Sequence, residues 1–427
     1  MTTSGATATV ASISSSTSQV DSVVAKLTVQ NLQPQGEQVF VRVDFNVPFE
    51  PSPEGPKVSD DTRIQETLPT LKLLLEKGAS LVLASHLGRP KGKPEEKYSL
   101  KPVAAHLAKV IGQPVQFASD CIGAETDKLR AALKPGQILL LENVRFHAEE
   151  EKNDAGFAKK LLGAAKFYVN DAFGSAHRAH ASTEACAHLA QKSVAGLLLE
   201  KELRYLGTEL SNPKRPFLVI LGGAKVGDKI GVLRALLQKA NTILIGGGMT
   251  YTFRLAQGKK IGKSLSEPDK VNLAKEILAE AQKLGVKFLL PEDTLIVEQL
   301  DFAGRKVSPG KFTQPGEDIP DGWEGVDIGP KARETYAKEI AGAGTILWNG
   351  PMGVFEIPAC AEGTFAIAKA VAANSKAVSI IGGGDSVKAV KKAGVGKQVT
   401  FISTGGGASL EFLEGKTLPG VAALNDQ

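Results

Sequence analysis

Ten short apolar runs, each leading into a polar or glycine-rich loop and then an amphipathic helix, constrain this 427-residue chain more than any other feature. Four lie in the first half, at 39–45, 80–86, 137–144 and 166–173. Six lie in the second, at 217–223, 241–248, 286–293, 345–350, 378–384 and 399–407. Runs that are continuous rather than alternating are buried on both faces, as strands of a helix-covered parallel sheet are. The chain is too long for a single hydrophobic core. The pattern therefore predicts an α/β protein of two domains, each built on a parallel sheet.

One stretch, AGLLLEKELRYLGTELSNPKRP at 195–216, divides the two sets of runs. Leu199, Leu203, Leu206 and Leu210 recur at helical spacing, with Glu200, Lys201, Glu202 and Arg204 on the other faces. Asn212-Pro213 ends the helix, because proline lacks an N–H and pushes its predecessor out of the helical region. All six histidines (His86, His106, His147, His177, His180 and His188) precede this helix, and most of the paired and tripled glycines follow it. One half is expected to hold a small anion, the other to let a nucleotide approach the backbone.

Ligands of open α/β sheets bind beyond the carboxyl ends of the strands. In the first half those positions carry Asp44, Asn46, His86, Arg89, Arg145, His177, Arg178 and His180, with Arg63 in the connection after the first strand. Four of the six arginines before the central helix (Arg63, Arg89, Arg145 and Arg178) fall on these loops or their continuation. Guanidinium forks match phosphate and carboxylate oxygens, so the placement points to a convergent anion site over scattered surface arginine. In the second half the strand ends carry Gly222-Gly223-Ala224-Lys225, Gly246-Gly247-Gly248, Asn349-Gly350, Gly382-Gly383-Gly384-Asp385-Ser386 and Thr404-Gly405-Gly406-Gly407. Successive glycine turns let backbone N–H groups and helix N-termini meet phosphates. Neither GxxxxGK[ST] nor a full GxGxxG occurs, which excludes an ordinary P-loop or dinucleotide fingerprint. Lys225 and Lys229 could reach phosphate oxygens, Glu356 ribose hydroxyls, and Asp385 a Mg²⁺ ion.

Several classes are excluded. A net charge of +5 without a basic stripe does not make a nucleic-acid protein. Cys121, Cys186 and Cys360 lie far apart with no metal spacing, which favours a reducing compartment over a disulfide framework. HRAH at 177–180 has no further ligand at zinc spacing. No apolar run approaches a membrane span. Residues 1–25 are rich in Ser, Thr and Ala and contain no Lys or Arg; they read as a flexible tail, with a plastid-type remnant as the alternative to a cytoplasmic protein.

Taken together the segments closely resemble the phosphoglycerate kinases, from about Leu27 to Leu424. They are VRVDFNVP (41–48), SHLGRPKG (85–92), LLLENVRF (139–146), YVNDAFGSAHRAHAST (168–183), GGAKVGDKI (222–230), GGGM (246–249), WNGPMGVFE (348–356), IIGGGDS (380–386) and STGGGASLEFL (403–413). The resemblance implies two doubly wound, Rossmann-like domains facing a cleft: 26–195 for the acid substrate and 214–403 for the nucleotide. A hinge helix at 196–213 would join them, and 404–427 would return to the first domain. It also implies a monomer that moves a phosphoryl group reversibly between 1,3-bisphosphoglycerate with MgADP and 3-phosphoglycerate with MgATP, without nucleic-acid or membrane partners. Acid-substrate contacts carry over onto Asp44, Asn46, Arg63, His86, Arg89, Arg145 and Arg178. Nucleotide contacts carry over onto Gly223, Ala224, Lys229, Gly325, Asn349, Glu356, Gly383, Gly384, Asp385 and Ser386. Arg63, Lys225, Gly383 and Gly406 are matched to catalytic positions, and Asp385 to the one that positions Mg²⁺.

A carboxylate nucleophile is already ionised near neutral pH, so the implied reaction needs no general base and rests on positioning and charge stabilisation. Glu324 and Glu292 depart from the family's usual residues on the nucleotide side, so adenine affinity is where a change is expected. Ser386 replaces a frequent Thr and keeps the hydroxyl. The rival readings are another carboxylate or acyl-phosphate kinase on the same architecture, and a non-catalytic member of the family. The DFN and HLGR segments argue against the first, and the presence of Arg63, Lys225 and Asp385 against the second.

Overall fold

A computed structural model describes residues 25–53 and 55–427; apart from Ala25, the tail lies outside the described residues. The first sheet contains β1 (Gln38–Val43), β2 (Ser80–Ala84), β3 (Val115–Phe117), β4 (Ile138–Leu140), β5 (Phe167–Asp171) and β6 (Lys192–Ala195). These six strands are all parallel, in the order β3-β4-β2-β1-β5-β6. The second sheet contains β7 (Phe217–Leu221), β8 (Thr242–Ile245) and β9 (Lys287–Leu289). A three-stranded antiparallel sheet of β10 (Thr294–Val297), β11 (Lys311–Phe312) and β12 (Glu324–Ile328) follows in the chain. β13 (Thr345–Asn349), β14 (Val378–Gly382) and β15 (Phe401–Ile402) complete the second sheet, in the parallel order β9-β8-β7-β13-β14-β15. Both main sheets are parallel, as the continuous apolar runs predict, and doubly wound, as the family resemblance implies.

Three differences have physical causes. All ten expected strands form, but they stop before their polar or glycine-rich ends, because those residues turn away to become loops and helix caps. β3, β6 and the antiparallel sheet escape sequence reading, since strands of two to five residues are too short to show a clear period. The central helix is α-helical only over α2 (Leu197–Glu202) and continues as a π-helix over Leu203–Glu209. In that wider turn Tyr205 stacks on Phe401, with ring centroids 4.5 Å apart.

Buried apolar side chains run continuously from Phe40, Val82 and Tyr168 through Leu199, Leu203 and Leu206 to Phe217, Val219 and Leu233. The central helix is thus part of one core shared by both sheets. The chain's end lies against the first sheet: Gly420 N–H donates to the Ala176 carbonyl and Asn425 N–H to that of Ser193, both at 2.9 Å. Strand order reverses between β1 and β5 and again between β7 and β13. Crevices form beyond the carboxyl ends of strands at such switch points.

Candidate active site

Asp44 directly follows β1 and is buried. Its Oδ1 accepts from Arg63 Nη1 at 2.9 Å and from the Asn46 N–H at 3.2 Å. Arg63 reaches it from the first turn of α1 (Thr62–Glu76) rather than from the loop expected, because the helix starts inside DDTRI. Asn46 Oδ1 accepts from the Gly88 N–H at 3.0 Å, pinning the HLGR loop beside it. Arg145, buried, donates to the Gly88 carbonyl at 2.9 Å. Arg178 Nε donates to His177 Nε2 at 3.1 Å. Arg89 is exposed, and among the described residues it forms no hydrogen bond or ion pair. Arg42 is a fully buried member of β1 that donates to Ser182 Oγ at 2.7 Å and stands 3.2 Å from His86 Nδ1. Sequence reasoning passed over it because it lies inside a strand; the signal was a charge in an otherwise apolar run.

The electrostatics of this cluster are one-sided. Burial alone would raise the Asp44 carboxyl, but Arg63 and Arg42, with the Asn46 N–H, hold it at about 2. Burial lowers Arg145 to about 10, helped by Arg42 and Arg178. Burial followed by Arg145, Arg42 and Arg178 lowers His180 to about 3. His86 falls well below its ordinary value through burial, opposed by Asp44 and reinforced by Arg42, Arg145 and Arg63. The imidazoles are therefore neutral near neutral pH, and the crowded guanidinium groups favour an incoming anion.

At the second switch point the backbones of Gly222 and Gly350 pack so closely that a Cβ on either would collide with the other's segment. The Gly222 N–H donates to the Asn349 carbonyl at 3.0 Å. Lys229 Nζ donates to Asn349 Oδ1 at 2.6 Å and to its carbonyl at 2.9 Å. Burial lowers Lys229 to about 8, partly offset by Asp385 and Asp228. Ser386 Oγ accepts from the Gly350 N–H at 2.5 Å. Gly383, with φ +85°, caps α3 (Gly384–Lys392), whose first turn carries Asp385 paired with Lys388 at 3.2 Å. A Cβ on Gly384 would meet open space, so backbone N–H groups at this helix start are approachable. Gly223 lies beside the Lys229 side chain, whereas Ala224 and Lys225 are exposed, and among the described residues Lys225 forms no hydrogen bond or ion pair.

Gly325 belongs to the antiparallel sheet and donates its N–H to Ser264 Oγ at 2.9 Å. A Val354 N–H to Val326 carbonyl bond of 2.8 Å ties the Glu356 segment to that sheet. Glu324 lies 3.5 Å from Lys263, and Glu292 accepts from Thr335 Oγ1 at 2.5 Å, so both departures from the family pattern have partners within the chain. Gly406 caps α4 (Gly407–Leu413). The Thr404–Gly406 loop meets the first cluster at Gly174, where a Cβ would stand 2.7 Å from Asp44 Oδ2 and 3.4 Å from the Thr404 carbonyl oxygen. Glu202, in the last turn of α2, accepts from the Thr404 N–H at 2.7 Å, so the central helix holds this junction.

A family model described as phosphoglycerate kinase matches residues 29–416. The chain belongs to the phosphoglycerate kinase family. It is 58% identical over 410 residues to the phosphoglycerate kinase of Koribacter versatilis, covering 95% of this chain and 100% of that one. It is 54% identical to that of Acidobacterium capsulatum, with 95% and 100% covered. The solved phosphoglycerate kinase from Coxiella burnetii superposes with a TM-score of 0.82 at 39% identity, covering 93% of this chain and 98% of that one. Membership makes the chain a phosphotransferase with a carboxyl group as acceptor. Among the described residues no helix is long and apolar enough to cross a membrane.

Proposed function

We propose that the chain moves a phosphoryl group reversibly between 3-phosphoglycerate with MgATP and 1,3-bisphosphoglycerate with MgADP, at a site drawn from both sheets. One observation carries the assignment of roles: Asp44, in the under-neutralised arginine cluster of the first sheet, meets at Gly174 the Thr404–Gly405 loop that leaves the second sheet's edge strand β15. In this reading Asp44, Asn46, Arg63, His86, Arg89, Arg145 and Arg178 bind the acid. Gly223, Ala224, Lys229, Gly325, Asn349, Glu356 and the 383–386 turn bind the nucleotide. Arg63, Lys225 and the backbone N–H groups at Gly383 and Gly406 hold the oxygens of the group in flight. Asp385 suits a nucleotide-borne Mg²⁺, being an exposed carboxylate beside a helix start that attracts phosphate. That ion would neutralise charge between the phosphates. The acid's carboxylate attacks already ionised, so no general base is needed and His86 and His180, whose pKa values are lowered, need not take up a proton.

The proposed domains are 26–195 and 214–403, with 196–213 as hinge and 404–427 packed back on the first. Closure about the hinge would exclude water and prevent idle ATP hydrolysis. The proposed site is complete within one chain and so needs no second subunit; a monomer acting on small molecules in the cytoplasm, with a plastid as the alternative, belongs to the same reading. The test is a coupled assay with MgATP and 3-phosphoglycerate, in which glyceraldehyde-3-phosphate dehydrogenase oxidises NADH as acyl phosphate forms. Turnover that requires Mg²⁺ is expected. A folded protein that binds nucleotide yet gives no turnover would refute the proposed substrate.

A further inference from the structure

Asp120, Cys121 and His147 bring a carboxylate, a thiol and an imidazole together, with one ligand atom from each all within 4.8 Å of one another. None of the three belongs to the proposed phosphoryl-transfer site. Asp120 and Cys121 lie in the loop after β3, and His147 stands just past the short turn that carries Arg145. Two of the ligands are already oriented. Asp120 Oδ1 accepts from His147 at Nε2 (2.7 Å) and from the Cys121 N–H (2.6 Å), while Thr126 Oγ1 donates to the Asp120 carbonyl at 2.8 Å. The His147 ring rests against Phe157 with centroids 5.3 Å apart.

We propose that this trio is a site for a borderline-soft divalent cation of the Zn²⁺ class, with three protein ligands and a fourth position open to water. Tetrahedral bonds of about 2.0–2.3 Å set ligand atoms roughly 3.3–3.8 Å apart. The Asp120–His147 contact of 2.7 Å must therefore lengthen by roughly 0.6–1.1 Å, and the gap from the sulfur to the other two ligand atoms, at most 4.8 Å, must close by up to about 1–1.5 Å. Asp120 is 51% exposed and Cys121 fully buried, so the carboxylate is the part free to adjust and the mouth faces solvent. The donor set selects the metal class: thiolate and imidazole suit Zn²⁺ or Co²⁺, whereas Mg²⁺ prefers an all-oxygen shell. Binding breaks the Cys121 S–H bond, forms the metal–sulfur bond and releases one proton to solvent.

Co²⁺ titrated alone into the full chain in magnesium-containing buffer tests the site. A single equivalent is expected to give a sulfur-to-cobalt charge-transfer band and the intense visible bands of a tetrahedral centre. Zn²⁺ should abolish both, and excess Mg²⁺ should leave them. The charge-transfer band should be lost in Cys121→Ala, while His147→Asn should weaken binding. Calorimetry in buffers of differing ionisation heat should read one proton released per metal. Absence of the band from the folded chain overturns the proposal. So does a band that survives Cys121→Ala, which would assign the sulfur to Cys186 or Cys360.

Discussion

Arg63 stands 2.9 Å from Asp44 on one side, and its Nη1 also touches the Asn46 carbonyl. A side chain fixed twice by its own half is pre-oriented for charge that develops nearby, and one preorganised donor of that kind is worth about 2.7–4 kcal/mol. Arg63→Ala is therefore expected to lower kcat by roughly a hundredfold or more, with nucleotide affinity nearly unchanged. Steady-state kinetics beside equilibrium nucleotide binding checks this, and near-parental turnover would remove Arg63 from the chemistry. At this scale the sequence was readable wherever a charge follows a strand, as with Asp44, His86 and Arg145. It was silent on Arg42, Glu150 and Ser182, whose importance lies in which strands end up adjacent. Glu150 is fully buried and accepts from Ser182 Oγ at 2.6 Å, and nothing local to either residue announces that pairing.

The junction between β5 and α2 is governed by one carboxylate. Asp171, the last residue of β5, accepts from the N–H groups of Leu198 and Leu199 at 2.9 and 3.2 Å, capping the central helix from outside it. Burial raises its carboxyl to about 7, against hydrogen bonds from Thr70, Leu199 and Leu198. The folded state thus holds a proton that the unfolded chain loses near its ordinary value of 3.8. Between those two values the native form binds more protons, so this group's contribution to stability falls as pH rises, by on the order of 4 kcal/mol across the window. Asp171→Asn keeps an acceptor oxygen and removes the titration. The variant is expected to gain on the parent as pH rises from about 5 to about 8, read as the difference in urea midpoints. A difference that does not change with pH would mean Asp171 is ionised in place throughout. The helix itself was legible from its leucine spacing. Its passage into a π-helix at Leu203 was not, because that change accompanies Tyr205 meeting Phe401 from a strand nearly 200 residues away.

The two sheets are joined by the shared core and also at the mouth of the crevice. Lys391, in the last turn of α3, lies 3.0 Å from Asp60 and also donates to Thr62, the residue before Arg63. The pair therefore ties the start of α1 to the helix whose first turn carries Asp385, one from each half. Burial alone would raise Asp60, but Thr62 and Lys391 outweigh it and hold the carboxyl at about 2, so Asp60 is ionised across the working pH range. Both partners are about two-fifths exposed, and such surface pairs contribute about 0–1 kcal/mol. If the halves close as proposed, that energy would bias closure by no more than about fivefold, and the pair would be a weak latch that permits reopening for product release. Lys391→Met is expected to raise both substrate KM values or lower kcat by up to about fivefold, and to blunt the dependence of turnover on salt. Scattering with both ligands bound should find the variant less compact than the parent. If turnover, salt dependence and compaction all match the parent's, closure is carried by the ligands and the shared core, and the Asp60–Lys391 contact is incidental to it.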